Sequence, residues 1–244
     1  MDLILDLGNT NKKLAVFKNG KLIRLKQYPF FNLEIIHDFI NRYPGINRCI
    51  IASVITYPQS VRDFLDRKFQ FLEFSDLTPL PVLNQYRSKA TLGKDRLAAA
   101  VAAANQFPGK NILVINAGTC ITYDFINSGK EYLGGAISPG IQMRLQALHT
   151  FTGKLPLITF KSNDILIGNT TERSILSGVL FGTIAEIEGI AAQYQEQFPG
   201  LVIILSGGDV KYFYKRLKIS IFAYPNIVIH GLYQILDFNV IEVI

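Results

Sequence analysis

Asp6 ends the apolar run "LILDL" and is followed at once by Gly8, Asn9 and Thr10, residue types that turn a chain tightly. A strand that ends this way aims a carboxylate and several backbone N–H groups at one spot, the arrangement a phosphate group needs. The small residues let a polyphosphate approach closely. The device recurs in the second half, where "NILVI" runs into Asn116, Ala117, Gly118 and Thr119. One such turn is ordinary hairpin chemistry. Two at matching places point to paired phosphate-facing hairpins that could hold one nucleotide.

Two further stretches carry reactive or ligand-facing types. "TLGKDRLAAAVAAA" places Asp95 in the first turn of an alanine-rich helix, where a carboxylate favours the helix dipole. Asp95 reads equally well as a helix cap or as a catalytic acid or base, and Arg96 beside it suits a carboxylate or phosphate. "LSGGD" (Leu205 to Asp209) is a strand ending in a Gly-Gly turn before a helix, either a plain connector or a close approach to a nucleotide. Cys49 and Cys120 lack metal or redox spacing, and His37, His149 and His230 lie far apart in sequence.

The elements that must position these residues repeat. "LILDL", "KLAVF" and "KLIRLKQY", with Asn19-Gly20 as a hairpin turn, form a three-strand meander. "NILVI", "TCITYDFI" and "EYLGGAI", turning through Asn127 to Lys130, form another. Helical periodicity follows each: 32–43 and 59–69 after the first, with a strand over 49–55 between them, then "IQMRLQALHTF" and 172–198 after the second. "LVIILS" is a further strand, and "KYFYKRL" is helix-like. The order predicts two duplicated α/β domains facing across a cleft, 1–110 and 111–244, divided at the Pro-Gly turn of "QFPGKN". The stretch 73–93 carries two prolines and little periodicity, a length that in a compact domain is often functional.

Composition bounds the rest. The chain has 244 residues, 49% of them hydrophobic, enough for one large core or two smaller ones. No signal-like opening is present, and uninterrupted apolar runs such as "LAAAVAAA" fall short of the roughly 18 residues that span a bilayer. A soluble, cytoplasmic protein without a membrane partner is expected. The net charge of +6 gathers in "KNGKLIRLK" and "KYFYKRLK". Solvated strand and helix faces explain these runs more simply than a nucleic-acid surface, and a phosphorylated ligand would also favour a positive field.

In order along the chain, "DLGNTNKK", "GKDR", "NAGTCITYD", "GGAISPG", "FTGKLP", "GNTTERSILSG" and "LSGGD" resemble the type III pantothenate kinases. The resemblance implies two RNase H-like domains of the acetate and sugar kinase, actin and chaperone ATPase superfamily. It implies transfer of the γ-phosphoryl group of ATP to pantothenate, the first step towards coenzyme A. By the same resemblance ATP lies along Asp6, Leu7, Gly8, Asn9, Thr10, Asn11, Lys12 and Lys13, with Thr119 as a further contact and Asp6 positioning Mg²⁺ through water. Asp95 is the implied proton acceptor. Tyr86, Gly93, Lys94, Asp95, Arg96 and Thr171 are the implied pantothenate contacts, completed across a homodimer.

Asn116 departs from the family pattern, which has an aspartate there that binds potassium or ammonium. The amide keeps a carbonyl oxygen of similar reach but removes a full negative charge, so the expectation is that cation activation is weak, needs more salt or is replaced by a nearby Lys side chain, with Asp124 compensating if it points into the site. Two other classes share part of the motif set: a sugar or acetate kinase of the same superfamily, and a member that binds nucleotide for regulation. The "GKDR" stretch with Tyr86 argues against the first. Retention of Asp6, Asp95, Arg96 and Thr171 argues against the second.

Overall fold

The computed structural model describes residues 1–161 and 165–241. Its first sheet begins with β1 (Asp2–Leu7), β2 (Lys12–Lys18) and β3 (Lys21–Tyr28), the expected antiparallel meander. Asn19 and Gly20 both take the positive φ that a tight two-residue turn demands. α1 (Leu33–Ile40) then starts at Asn32, whose side chain accepts the Ile35 N–H at 2.9 Å. It leads to β4 (Arg48–Ser53), α2 (Gln59–Lys68) and β5 (Gln70–Glu73). The order is β3-β2-β1-β4-β5, with β4 parallel to both β1 and β5. Leu3, Leu5 and Leu7 alternate onto one face and bury against Ile36, Phe39 and Leu65 of the two helices.

The aperiodic stretch holds little regular structure: β6 (Leu83–Asn84) and a single 3₁₀ turn over Lys89–Thr91. α3 (Lys94–Gln106) follows, and its residues from Arg96 to Ala104 are all buried. Alanine on every side suits a helix enclosed on every side.

The second sheet repeats the first. β7 (Ile112–Ala117), β8 (Cys120–Ile126) and β9 (Glu131–Pro139) form its meander. α4 (Ile141–Thr150) and α5 (Thr171–Gln197) cover one face, and β10 (Val202–Ser206) lies parallel to β7. "KYFYKRL" supplies only the one-turn α6 (Val210–Phe213), before the two-residue β11 (Phe222–Ala223). The order β11-β10-β7-β8-β9 is that of the first sheet, strand for strand. The fold is therefore two duplicated RNase H-like α/β units. β1 and β7 are buried residue for residue in the same way, and Asp6 and Asn116 occupy the same, partly exposed position.

By length and composition α5 is apolar enough to cross a membrane, although polar residues interrupt its apolar run. Half of its apolar window is buried within the fold, and Leu180, Ile184 and Ile187 pack on Leu113, Ile115 and Tyr123 of the sheet. It is the core helix of its unit.

The division into units departs from the expected 1–110 and 111–244. One compact unit spans Met1–Asn105 together with α7 (Ile227–Ile241), and the other spans Gln106–Asn226. α7 belongs to the first unit because it covers the free face of the first sheet. Tyr233 stacks on Phe17 with centroids 4.4 Å apart, and Arg48 on β4 pairs with Asp2 at 2.6 Å and with Asp237 at 3.1 Å.

Candidate functional site

Within the first unit the structure gathers most of the residues expected to do chemistry. Asp6 is the penultimate residue of β1 and pairs in register with Lys13 of β2, whose ammonium lies 3.8 Å from its carboxylate. Burial pushes the Asp6 carboxyl up to about 6 from an ordinary 3.8; the Lys13 charge opposes this and the Asp95 charge adds to it. The two carboxylates therefore sense each other although they are far apart in sequence.

Between β1 and β2 the Gly8 N–H donates to the Asn11 carbonyl at 3.1 Å, closing the turn. Asn9, Thr10 and Asn11 are exposed on it, and the Lys12 ammonium folds back onto the Asn9 carbonyl at 3.0 Å. Leu7 differs from its neighbours: its side chain is fully buried in the core, so only its backbone can face a ligand.

Asp95 sits in the first turn of α3, where its Oδ1 accepts the Arg96 N–H at 3.0 Å. That bond fixes the carboxylate against the helix N-terminus, whose partial positive charge favours an anion. A β-carbon on Gly93 would lie 2.6 Å from Asp95 Oδ1, so a side chain there would displace the carboxylate from its present position. Lys94 is half-buried beside them. The Arg96 side chain is buried, and its guanidinium lies over the Tyr86 ring at 5.7 Å from the centroid. The aperiodic stretch thus delivers an aromatic ring to the start of α3.

The second unit holds the remaining expected residues at two places. Thr119 is exposed on the β7–β8 turn, which the Gly118 N–H closes onto the Cys120 carbonyl at 3.0 Å. Neighbouring turns grip this one. The Gly140 N–H donates to the Thr119 carbonyl at 3.0 Å, and the Asp209 N–H of "SGGD" donates to the Ala117 carbonyl at 3.0 Å. A β-carbon on Gly140 would overlap the Gly118 and Thr119 carbonyl oxygens. Sequence reasoning noted "GGAISPG" and "LSGGD" without seeing that both clamp the turn; cross-strand register was the missing information.

Thr171 is the first residue of α5, after Thr170, whose hydroxyl accepts the Arg173 N–H at 3.2 Å. It lies on the wall of a groove of about 1180 Å³ between α4 and the start of α5, lined also by Leu148, Phe151, Leu155 and Ile175.

Asn116 is half-buried on the sheet face that also carries Thr122, its partner on β8, and Ser206, its partner on β10. Asp124 lies on the same face but is fully buried, accepting hydrogen bonds from Thr122 and Tyr132, each at 2.8 Å. Its carboxylate oxygens are engaged inside the unit.

A sequence profile of the type III pantothenate kinase family matches residues 2–193. The chain belongs to that family. It is 44% identical over 242 residues to the type III pantothenate kinase of Christiangramia forsetii, covering 98% of this chain and 99% of the relative. The enzyme of the same name from Flavobacterium johnsoniae is 38% identical over 241 residues, 98% and 99% of the two chains. Among solved structures, a Baf family transcriptional activator from Campylobacter jejuni superposes with a TM-score of 0.58 at 19% identity, over 97% and 98% of the two chains. An inorganic polyphosphate/ATP-glucomannokinase from Arthrobacter superposes with a TM-score of 0.50 at 13% identity, over 98% and 100%. At these identities the likeness is one of fold.

Asp6, a carboxylate at the end of a strand beside an exposed turn, has the chemistry to hold a divalent cation such as Mg²⁺. Among the described residues no three His, Cys, Asp or Glu side chains converge as a metal cage. Mg²⁺ does not need one, because it keeps several waters and takes one or two carboxylates with substrate phosphates.

The raised Asp6 carboxyl has a consequence for stability. The folded state holds the Asp6 proton more tightly than the unfolded chain does. The associated stability is present in full below pH 3.8 and is lost as pH rises through about 6. Asp6→Asn is therefore expected to unfold at higher denaturant than the native protein at pH 7.5. The advantage, at most about 3 kcal/mol with the Lys13 attraction already counted, should shrink towards zero near pH 4. Denaturant titrations of both proteins at the two pH values check this, and an Asn protein that is the less stable at pH 7.5 contradicts it.

Proposed function

We propose that this protein transfers the γ-phosphoryl group of ATP to the primary hydroxyl of pantothenate, forming 4′-phosphopantothenate, the first step of coenzyme A biosynthesis. The observation that carries the reading is the placement of Asp95 in the first unit: a carboxylate oriented by the Arg96 N–H, within electrostatic reach of Asp6 and next to the Arg96–Tyr86 pair.

Phosphoryl transfer asks for positioning and charge neutralisation more than covalent chemistry. In this reading the Asp6–Lys13 hairpin and Thr119 contact the ATP phosphates. Asp6 holds Mg²⁺ through water, and the ion, when bound, offsets phosphate charge. The Arg96 N–H occupies one Asp95 oxygen and fixes the rotamer, so the other oxygen can accept the pantothenate hydroxyl proton. Arg96, buried against Tyr86, offers its guanidinium to the pantothenate carboxylate, with Gly93, Lys94 and Thr171 as further contacts. The reaction is placed in the cytoplasm.

Asp95→Asn keeps the size and the Arg96 contact but cannot take the proton. Its kcat is expected to fall by about 10²–10⁴ while ATP still binds, as read by mass spectrometry of phosphopantothenate and by nucleotide titration. Full activity in the Asn protein removes Asp95 from the role of base.

At Asn116 a monovalent cation meets an amide carbonyl in place of a carboxylate, and Asp124, already bonded to Thr122 and Tyr132, does not make good the charge. Potassium or ammonium should therefore activate the native protein weakly, and Asn116→Asp should lower the salt needed. Identical titration curves for the two proteins overturn this.

The pantothenate site is read as completed by a second copy seated on the groove beside Thr171, where Phe151 is 85% exposed. Phe151→Glu is expected to convert a dimer to a monomer by light scattering and to raise the KM for pantothenate. A native protein that is monomeric at assay concentration rejects the dimer.

A further inference from the structure

We infer that Arg144 and Glu186 are positioning residues that hold the Gly118–Thr119 turn in its nucleotide-binding geometry; this rests on the kinase reading of Thr119.

The linkage runs through atoms of a single unit. Glu186 lies midway along α5, the most deeply packed helix of its sheet face, and its side chain is three-quarters enclosed, with 25% exposed. Oε1 accepts from the Tyr123 hydroxyl at 2.8 Å and from the Ser138 hydroxyl at 2.5 Å, while Oε2 accepts from Arg144 Nη2 at 2.5 Å. Burial alone would raise the Glu186 carboxyl, but the bonds from Ser138, Arg144 and Tyr123 and the Arg144 charge outweigh it and hold the group below its ordinary value. The carboxylate is an anchored anion with donors on three elements.

Arg144, on the first turns of α4, spends its remaining donors on the end of β9. Nε donates to the Pro139 carbonyl at 2.8 Å and Nη2 to the Ser138 hydroxyl at 3.0 Å. The next residue, Gly140, donates its N–H to the Thr119 carbonyl and packs directly on the Gly118 and Thr119 peptides. β9 also pairs with β8 in a register that sets Pro139 opposite Cys120. A shift of the Pro139–Gly140 peptide is therefore a shift of Thr119.

A guanidinium fork suits this task because it binds a carboxylate and a backbone carbonyl at once in fixed directions. An ammonium at the same place would keep the charge and lose the directions. All members of the network belong to the second unit. Only partial exposure remains at Arg144, 22% of its side chain, so loss of either partner leaves a poorly solvated charge.

The test compares Arg144→Lys, Glu186→Gln and Ser138→Ala with the native full-length protein. The expected result is ATP affinity weakened about tenfold in Arg144→Lys and Glu186→Gln and less in Ser138→Ala, by titration without pantothenate. The Arg144→Lys, Glu186→Gln double variant should be no worse than the weaker single one, since the residues act as a unit. Hydrogen exchange should quicken over residues 117–122 and 138–141 while the first unit stays unchanged. Ser138→Ala removes one hydroxyl only and serves as the readable variant if a charge substitution does not fold. Unaltered ATP affinity in a folded Arg144→Lys or Ser138→Ala protein overturns the inference, as does exchange that quickens evenly through the second unit. Pantothenate turnover by the native protein judges the kinase reading separately, because the variants are compared by ATP affinity. A native protein that binds no ATP overturns both.

Discussion

A carboxylate that is to hold a cation must be charged, and one that is to be aimed must sit on rigid, buried structure; the two demands oppose each other at Asp6. β1 is enclosed on both faces, and its parallel neighbour β4 and antiparallel neighbour β2 fix its backbone in register. That enclosure raises the cost of the charge, and Lys13 offsets part of it from the facing position on β2. Asp95 raises the cost again from the start of α3. A cation or a proton relieves the strain. The first unit is thus organised around a site whose electrostatics are incomplete in the protein alone, a common feature of sites tuned for chemistry.

Duplication explains why the second unit offers the same geometry with different electrostatics. β7 is buried residue for residue as β1 is, and Asn116 stands where Asp6 does. Around Asn116 the register brings neutral side chains, Thr122 and Ser206, in place of the lysine that faces Asp6. The nearby carboxylate, Asp124, is absorbed by hydroxyl donors. The same backbone therefore carries a charged strand end in one copy and a neutral one with hydroxyl neighbours in the other.

Much of this was legible in the residue order. Both meanders, the turn at Asn19-Gly20 and the helices on either side follow from local periodicity and turn chemistry, which need no distant partner. α7 was not legible: its run is apolar nearly all round, with no polar stripe to mark a helix face, and its contacts with Phe17 and Arg48 are made over some two hundred positions of sequence. The domain division failed for the same reason. At the site, Asp6, Gly93 and Asp95 stood out by type and spacing, whereas the coupling of Asp6 to Asp95 depends on how α3 docks. Arg144 and Glu186 looked like ordinary helix-surface charges. Nothing in their neighbours betrays that each is turned inward, because pairing of buried charges is decided by helix packing.

α5 shows how packing converts such charges into structure. Its apolar length would suit a bilayer, yet Glu186 in its middle requires donors, and it finds them on β8, β9 and α4. An apolar residue at that position would pack against the sheet without dictating where α4 and the Pro139–Gly140 turn must lie. A carboxylate is demanding, because leaving its oxygens unsatisfied when buried costs more than a hydrogen bond returns. That demand makes the arrangement directional. The anion selects one placement of Arg144, Arg144 selects one placement of the Pro139 carbonyl, and Gly140 passes it to Thr119. A polar network inside an apolar helix layer thus trades general adhesion for a defined position of one turn.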